Sequence, residues 1–219
     1  MMNSTIQTKN ILESTRKYIQ SRFEGEGSGH DWWHILRVRN LALHIAEIEG
    51  GNIFLIEMAA LLHDLDDWKI AGDNQMEQTK SWLKKMNLPP KETQIIVQII
   101  NEVSFKGAGV STSTTLLEAA IVQDADRIDA IGAIGIARAF AYGGHKGRLL
   151  HDPAVNPVLH DNYSAYKNNN APTINHFYEK LLLLKDRINT NTAKKIAEDR
   201  HRFMETYLER FFDEWDGKI

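Results

Sequence analysis

An all-α fold, a compact orthogonal bundle of helices, is what this 219-residue sequence predicts. Three observations carry that expectation. Apolar residues recur at three- and four-residue spacing over most of the chain. Short pieces rich in glycine, asparagine or proline interrupt the periodicity where helices would end. No internal repeat and no convincing βαβ unit is present. The length suits one domain with a substantial core, and 42% hydrophobic with 25% charged residues is an ordinary composition for a soluble globular protein.

The elements follow in order. Ile11, Leu12, Tyr18, Ile19 and Phe23 give a helix over Ile6–Phe23, closed by the loop Glu24-Gly25-Glu26-Gly27-Ser28-Gly29. Asp31 can cap a helix running to about Gly50, and Gly50-Gly51-Asn52 ends it. Ile53–His63 is apolar almost all round, as expected of a buried central helix. After the polar stretch Asp66–Asn74, Gln75–Met86 reads as a helix stopped by Asn87-Leu88-Pro89-Pro90. Lys91–Glu102 reads as another, although its isoleucines favour strands on propensity. Thr114–Ala141 is expected as one long helix whose alanines and glycines allow close packing, with Gly143-Gly144 as its stop. His145–Asn170 is irregular and reads as a loop or lid. Ile174–Ile188 and Asn191–Trp215 read as a helical hairpin. The expected plan is a single domain over 1–219: an N-terminal helix (1–24), a metal-binding helical core (25–142), the irregular stretch (143–173) and the hairpin (174–216).

Composition excludes several kinds of chemistry. There is no cysteine, so disulfides, thiolate metal sites, iron–sulfur clusters and a cysteine nucleophile are all ruled out. A formal charge of −3 gives no reason to expect a nucleic-acid polymer or an anionic membrane as partner. The first residues lack the basic start and apolar run of a signal peptide, and no stretch approaches the roughly 20 apolar residues of a membrane span. The expectation is a cytoplasmic protein. Phosphate-binding P-loops and dinucleotide fingerprints are absent.

Chemistry concentrates where an imidazole and a carboxylate, His63 and Asp64, end the most apolar helix. Burying such groups is costly unless they are paired or bound to a metal. His34 lies early in the preceding helix and Asp126 in the long alanine-rich one. Two imidazoles and two carboxylates would make a mixed nitrogen–oxygen site with room for water and substrate. That donor set suits Mn²⁺, Fe²⁺, Ni²⁺, Co²⁺ or Zn²⁺ better than Mg²⁺. The competing reading is a histidine satisfied by a neighbouring carboxylate at a helix end.

Three segments bear on that choice: Gly29-His30-Asp31-Trp32-Trp33-His34, Ala60-Leu61-Leu62-His63-Asp64-Leu65-Asp66, and Val122-Gln123-Asp124-Ala125-Asp126-Arg127-Ile128-Asp129-Ala130-Ile131-Gly132. In order and spacing they resemble the HD-domain superfamily of metal-dependent phosphohydrolases. The likeness is closer to a bacterial subfamily of stand-alone HD proteins and extends through Ile136–Gly144 and Asn175–Leu182. It implies an HD-type bundle with one divalent metal, Mn²⁺ first, held by His34, His63, Asp64 and Asp126. Asp129 and Asp124 are the alternatives for the last ligand, or supports behind it. The implied activity is hydrolysis of a (deoxy)nucleoside triphosphate to monophosphate and pyrophosphate. Binuclear relatives carry extra histidines between the His-Asp pair and the last aspartate. This chain has none from Asp64 to Asp126, so a single ion is expected.

Further roles follow. Asp67, three residues after Asp64, would orient or deprotonate the attacking water; alternatively Asp66 and Asp67 simply solvate a loop. Lys69 would act beside it on phosphate. Arg37, His30, Arg127 and Lys146 are the candidate substrate contacts, and His176 would support the site from behind. Trp32 and Trp33 read as core and pocket wall. The expected partner is a small nucleotide, and exposed helices allow a homodimer. A nucleoside monophosphate phosphatase, a metal-bound nucleotide sensor and a helical interaction protein with a structural His-Asp pair are the rival readings.

Overall fold

The computed structural model describes residues 2–25, 31–66, 76–103, 113–159 and 171–219. Every regular element among them is helical, and no strand is present. The described residues up to Ala125 form one compact unit and those from Asp126 onward a second.

The first unit contains α1 (Met2–Phe23), α2 (Trp32–Glu49), α3 (Ile53–Leu62), α4 (Glu77–Lys85), α5 (Pro90–Val103) and most of α6 (Leu117–Asp129). Its centre is α3, which packs against α1, α2 and α5. All eight residues from Leu55 to Leu62 are buried, so this helix has no polar face to offer solvent. Each large side chain removed from water there contributes roughly 1.5–3 kcal/mol. Glu57 is the one charged residue among them. It is held by Arg39 of α2, whose Nε donates to Glu57 Oε1 at 2.7 Å.

Helix ends are set by local chemistry. Asp31 accepts from the backbone N–H of His34 at 2.7 Å and starts α2 as expected. Gly50, at φ 88°, ends α2 and donates to the Ala46 carbonyl. Asn52 then caps α3 by accepting from Phe54 and Leu55. Pro90 opens α5, where its missing N–H costs no intrahelical bond. Tyr18 of α1 stacks on Trp82 of α4 at 3.9 Å, and the Trp82 indole N–H donates to Thr15 at 3.0 Å.

In the second unit α9 (Asn191–Trp215) packs on α7 (Gly132–His145). Two differences from the sequence expectation arise here. The long helix expected over Thr114–Ala141 is broken at Ala130–Ile131. A turn forms there, with Ala130 donating to Arg127 and Ile131 to Ile128 at 3.2 Å. Gly132 restarts the chain at φ 75°, a backbone that a side chain would strain. The restarted helix runs through Gly143-Gly144 to His145 instead of stopping there. The helix expected over Ile174–Ile188 is instead α8 (Asn175–Glu179) followed by two 3₁₀ turns, Leu181–Leu183 and Lys185–Arg187. Leu181 and Leu184 are both buried, and the three-residue period of these turns stacks them on one face.

Candidate metal centre

The end of α3 and the first turn of α2 bring three donors together. Asp31 fixes the start of α2, and His34 sits in that first turn with 1% of its surface exposed. His63 is the C-terminal cap residue of α3, still helical at φ −59° and ψ −30°. Asp64 follows in the turn, closed by the Leu65 N–H donating to the Leu62 carbonyl at 3.0 Å. All three side chains are buried. One ligand atom from each lies within 4.8 Å of the others.

The distances fit a shared cation. His34 Nε2 is 3.4 Å from Asp64 Oδ2, and His63 Nε2 is 3.5 Å from Asp64 Oδ1. Charge-assisted hydrogen bonds between such groups are ~2.7–2.9 Å long, so these contacts are too long to be strong pairs. Ligands ~2.0–2.2 Å from a common ion stand about 3–3.5 Å apart. The ring orientation agrees. His63 Nδ1 is 2.9 Å from the Ala60 carbonyl, which can only accept, so Nδ1 carries a proton and Nε2 is the nitrogen turned to Asp64 and available for a metal. The two imidazoles meet edge to face at 64°, as two rings converging on one point would. The donor set, neutral nitrogen with carboxylate oxygen, suits a divalent transition metal.

The other sequence-selected residues are placed as follows. Asp126 lies half-buried on α6, in the second unit. Asp124, one residue before Ala125 on the same helix, is fully buried. Asp129 is buried and receives Arg138 Nη1 at 2.6 Å, so much of its charge is spent inside its own unit. Arg127 is buried too, and its guanidinium donates to the Arg187 carbonyl, tying α6 to the second 3₁₀ turn. Arg37 is half-buried one turn beyond His34. Lys146 is exposed, with its ammonium 5.6 Å from the Tyr142 ring centre. His176 is half-buried; burial, then the charges of Lys180 and Arg148, lower its pKa to about 3, so it is neutral near pH 7. His30, Asp67 and Lys69 lie outside the described residues. Trp32 is buried, whereas Trp33 is 61% exposed and forms no part of the core.

Sequence reasoning missed Asp66. Its carboxylate does more than solvate a loop: Oδ1 accepts from the Gln78 backbone N–H at 3.1 Å and Oδ2 from that of Thr79 at 2.9 Å. No local sequence signal marks it; the structure shows why the bonds form, since Met76 stands at the start of α4 with no side chain able to cap it.

Comparison with known proteins follows the same residues. The HD domain model matches residues 32–131, a span that contains His34, His63, Asp64 and Asp126. The protein YpgQ of Bacillus subtilis is 40% identical over 195 residues, covering 88% of this chain and 87% of YpgQ. This chain belongs to the HD-domain family. Its fold is that of an HD-superfamily hydrolase. A hydrolase of that superfamily from Bacillus thuringiensis superposes with a TM-score of 0.76 at 44% identity, covering 95% of this chain and 98% of the other. The crystal structure of B. subtilis YpgQ in complex with ADP superposes at 0.74 with 35% identity, covering 93% and 97%. HD domains bind divalent metal, and the His34–His63–Asp64 cluster is where this HD domain gathers donors for one. No described helix is long and apolar enough to cross a membrane.

Proposed function

We propose that this HD-domain protein is a metal-dependent phosphohydrolase that cleaves a (deoxy)nucleoside triphosphate to the monophosphate and pyrophosphate. The convergence of His34, His63 and Asp64 at the spacing of ligands around one cation carries the reading. The ADP complex of YpgQ supports a small nucleotide as the ligand class.

In this reading Asp126 completes the ligand set. A divalent ion held there, Mn²⁺ in first place, supplies Lewis acidity and a lowered water pKa. The water oxygen bonds to the α-phosphorus, the bond from that phosphorus to the bridging oxygen breaks, and pyrophosphate leaves with the electron pair. Asp67 takes the proton of the attacking water. Arg37 and Lys69 hold phosphoryl oxygens through charge-assisted hydrogen bonds, with His30, Arg127 and Lys146 as the further cationic or donor groups. Asp64 has one oxygen 3.4 Å from His34 and the other 3.5 Å from His63, which supports a ligand role for it and leaves the role of base to Asp67 in this reading.

The test is a turnover screen of nucleoside mono-, di- and triphosphates with Mn²⁺, Mg²⁺, Ni²⁺ and Co²⁺, with phosphate and pyrophosphate measured separately. Pyrophosphate from triphosphates is the expected product. Orthophosphate from monophosphates would replace this reading with a nucleotidase. Tight nucleotide binding with no turnover under any of these metals would replace it with a sensor.

A further inference from the structure

We propose that Asp66 is a positioning residue for the metal centre: by capping α4 from outside that helix, it fixes the turn that presents Asp64. This rests on the metal reading above and goes beyond it, because Asp66 is not offered as a ligand or as the base.

The geometry starts from a helix that cannot cap itself. α4 begins after Met76, a left-handed residue at φ 58° with no capping side chain. The first backbone N–H groups of a helix have no partner within it and carry the positive end of its dipole. Asp66 supplies the missing acceptors, one oxygen to Gln78 N–H and the other to Thr79 N–H. These are the second and third residues of α4, where an adjacent cap would normally reach. An aspartate suits the role because it is anionic and offers two oxygens at once.

A second bond returns across the same gap. The Gln78 side-chain amide donates to the Leu65 carbonyl at 3.2 Å. Its orientation is set by Arg22 at the end of α1, whose guanidinium donates to Gln78 Oε1 at 2.8 Å. A guanidinium only donates, so the amide oxygen must face Arg22 and its nitrogen must face Leu65. Leu65 is itself buried. The two residues directly after Asp64 are therefore held by backbone and side-chain bonds to α4, and through Gln78 to α1.

The consequence for the metal is a matter of registration. His34 is fixed independently, by the Asp31 cap of α2. Asp64 must meet it from another element, and ligand geometry tolerates displacements of only about 0.5 Å. Loosening Leu65 and Asp66 lets the carboxylate drift from the two imidazoles while the helices stay formed. Supports of this kind change metal affinity by about 10–100-fold when removed.

The experiment is Mn²⁺ titration of the full chain, with the thermal midpoint of each metal-free protein measured alongside. Asp66→Ala should weaken Mn²⁺ binding about tenfold or more, and Asp66→Asn, which keeps one acceptor oxygen, should fall between it and the wild type. Gln78→Met, which removes only the Leu65 and Arg22 bonds, gives a second reading should Asp66→Ala fold poorly, and should also weaken binding. Thr15→Val breaks the Trp82 bond between the same two helices, away from the turn. It should lower the thermal midpoint yet leave Mn²⁺ affinity within about twofold, far short of a supporting-residue effect. Wild-type affinity in both Asp66→Asn and Gln78→Met overturns the proposal, as does an affinity loss in Thr15→Val matching that of Asp66→Ala. Absence of Mn²⁺ binding by the wild type overturns the metal reading itself, and this inference with it.

Discussion

The ring of His63 donates from Nδ1 to the carbonyl of Ala60 across 2.9 Å, which turns its other nitrogen toward Asp64. A histidine serving only as a helix-end partner for a carboxylate would point its proton at that carboxylate. Here Nδ1 already has its acceptor in a carbonyl, and in the Nδ1–H tautomer the nitrogen turned to Asp64 is the one that can bind a metal. Replacing His63 or His34 by alanine should therefore weaken metal binding by at least about 100-fold, since losing a mere supporting partner already costs 10–100-fold. Bound metal per chain, measured by atomic emission after gel filtration, is the readout. Unchanged metal content in both variants would show that the cluster is not a metal centre.

The Arg39–Glu57 pair should be expensive to break and cheap to replace. Glu57 is 12% exposed at its side chain and Arg39 23%, so a charge left alone there is poorly solvated. Glu57→Ala should cost about 2–3 kcal/mol, a little under the range for fully buried pairs. The double variant Arg39→Met/Glu57→Met should recover more than half of that. Urea unfolding of the single and double variants gives the coupling; simple additivity would contradict it.

A methyl group at Gly143 has nowhere to go. Its carbon would lie 2.1 Å from Thr173 Oγ1. Gly143→Ala is expected to destabilise the protein by about 1–3 kcal/mol through overpacking, despite the better helix propensity of alanine. Adding Thr173→Ala should restore part of the loss. Thermal midpoints of the two variants check this, and a single variant more stable than wild type would refute it.

His176 makes stability fall in mild acid. Its folded pKa is lowered to about 3 by burial and by Lys180 and Arg148, against an ordinary value of 6.5. Between those limits the unfolded chain binds a proton that the folded chain refuses, so unfolding gains as pH drops. The contribution is fully present above 6.5 and declines progressively toward 3. His176→Gln should flatten the dependence of the thermal midpoint on pH across that window. An unchanged slope would mean that His176 titrates normally in the folded protein.

Much of this was legible in the sequence, and the reasons are local. Asp31 and Gly50 announced the ends of α2 because caps work through residues next to the helix. The apolar run Leu55–Leu62 announced a buried helix because no position in it, Glu57 apart, could face water. His63 and Asp64 stood out as costly residues at the end of an apolar helix, and His34 through the resemblance of its segment to HD-domain proteins. The break between α6 and α7 was hidden, since Ala130 and Ile131 continue the apolar pattern without interruption. The leucine run after Lys180 fits both a three-residue and a 3.6-residue period, so burial had to choose between them. Asp66 was missed for another reason: its partners Gln78 and Thr79 lie 12 and 13 positions away, and no local pattern encodes such a bond.

The burial of α3 has a consequence for timing. A helix with no wet side cannot fray one face at a time, so its amides exchange with solvent only when the surrounding packing opens as a whole. His63 and Asp64 are anchored to the end of that slow element. The backbone on which these two donors sit should therefore be among the last parts of its unit to open, and hydrogen exchange at Leu61 and Leu62 would report it.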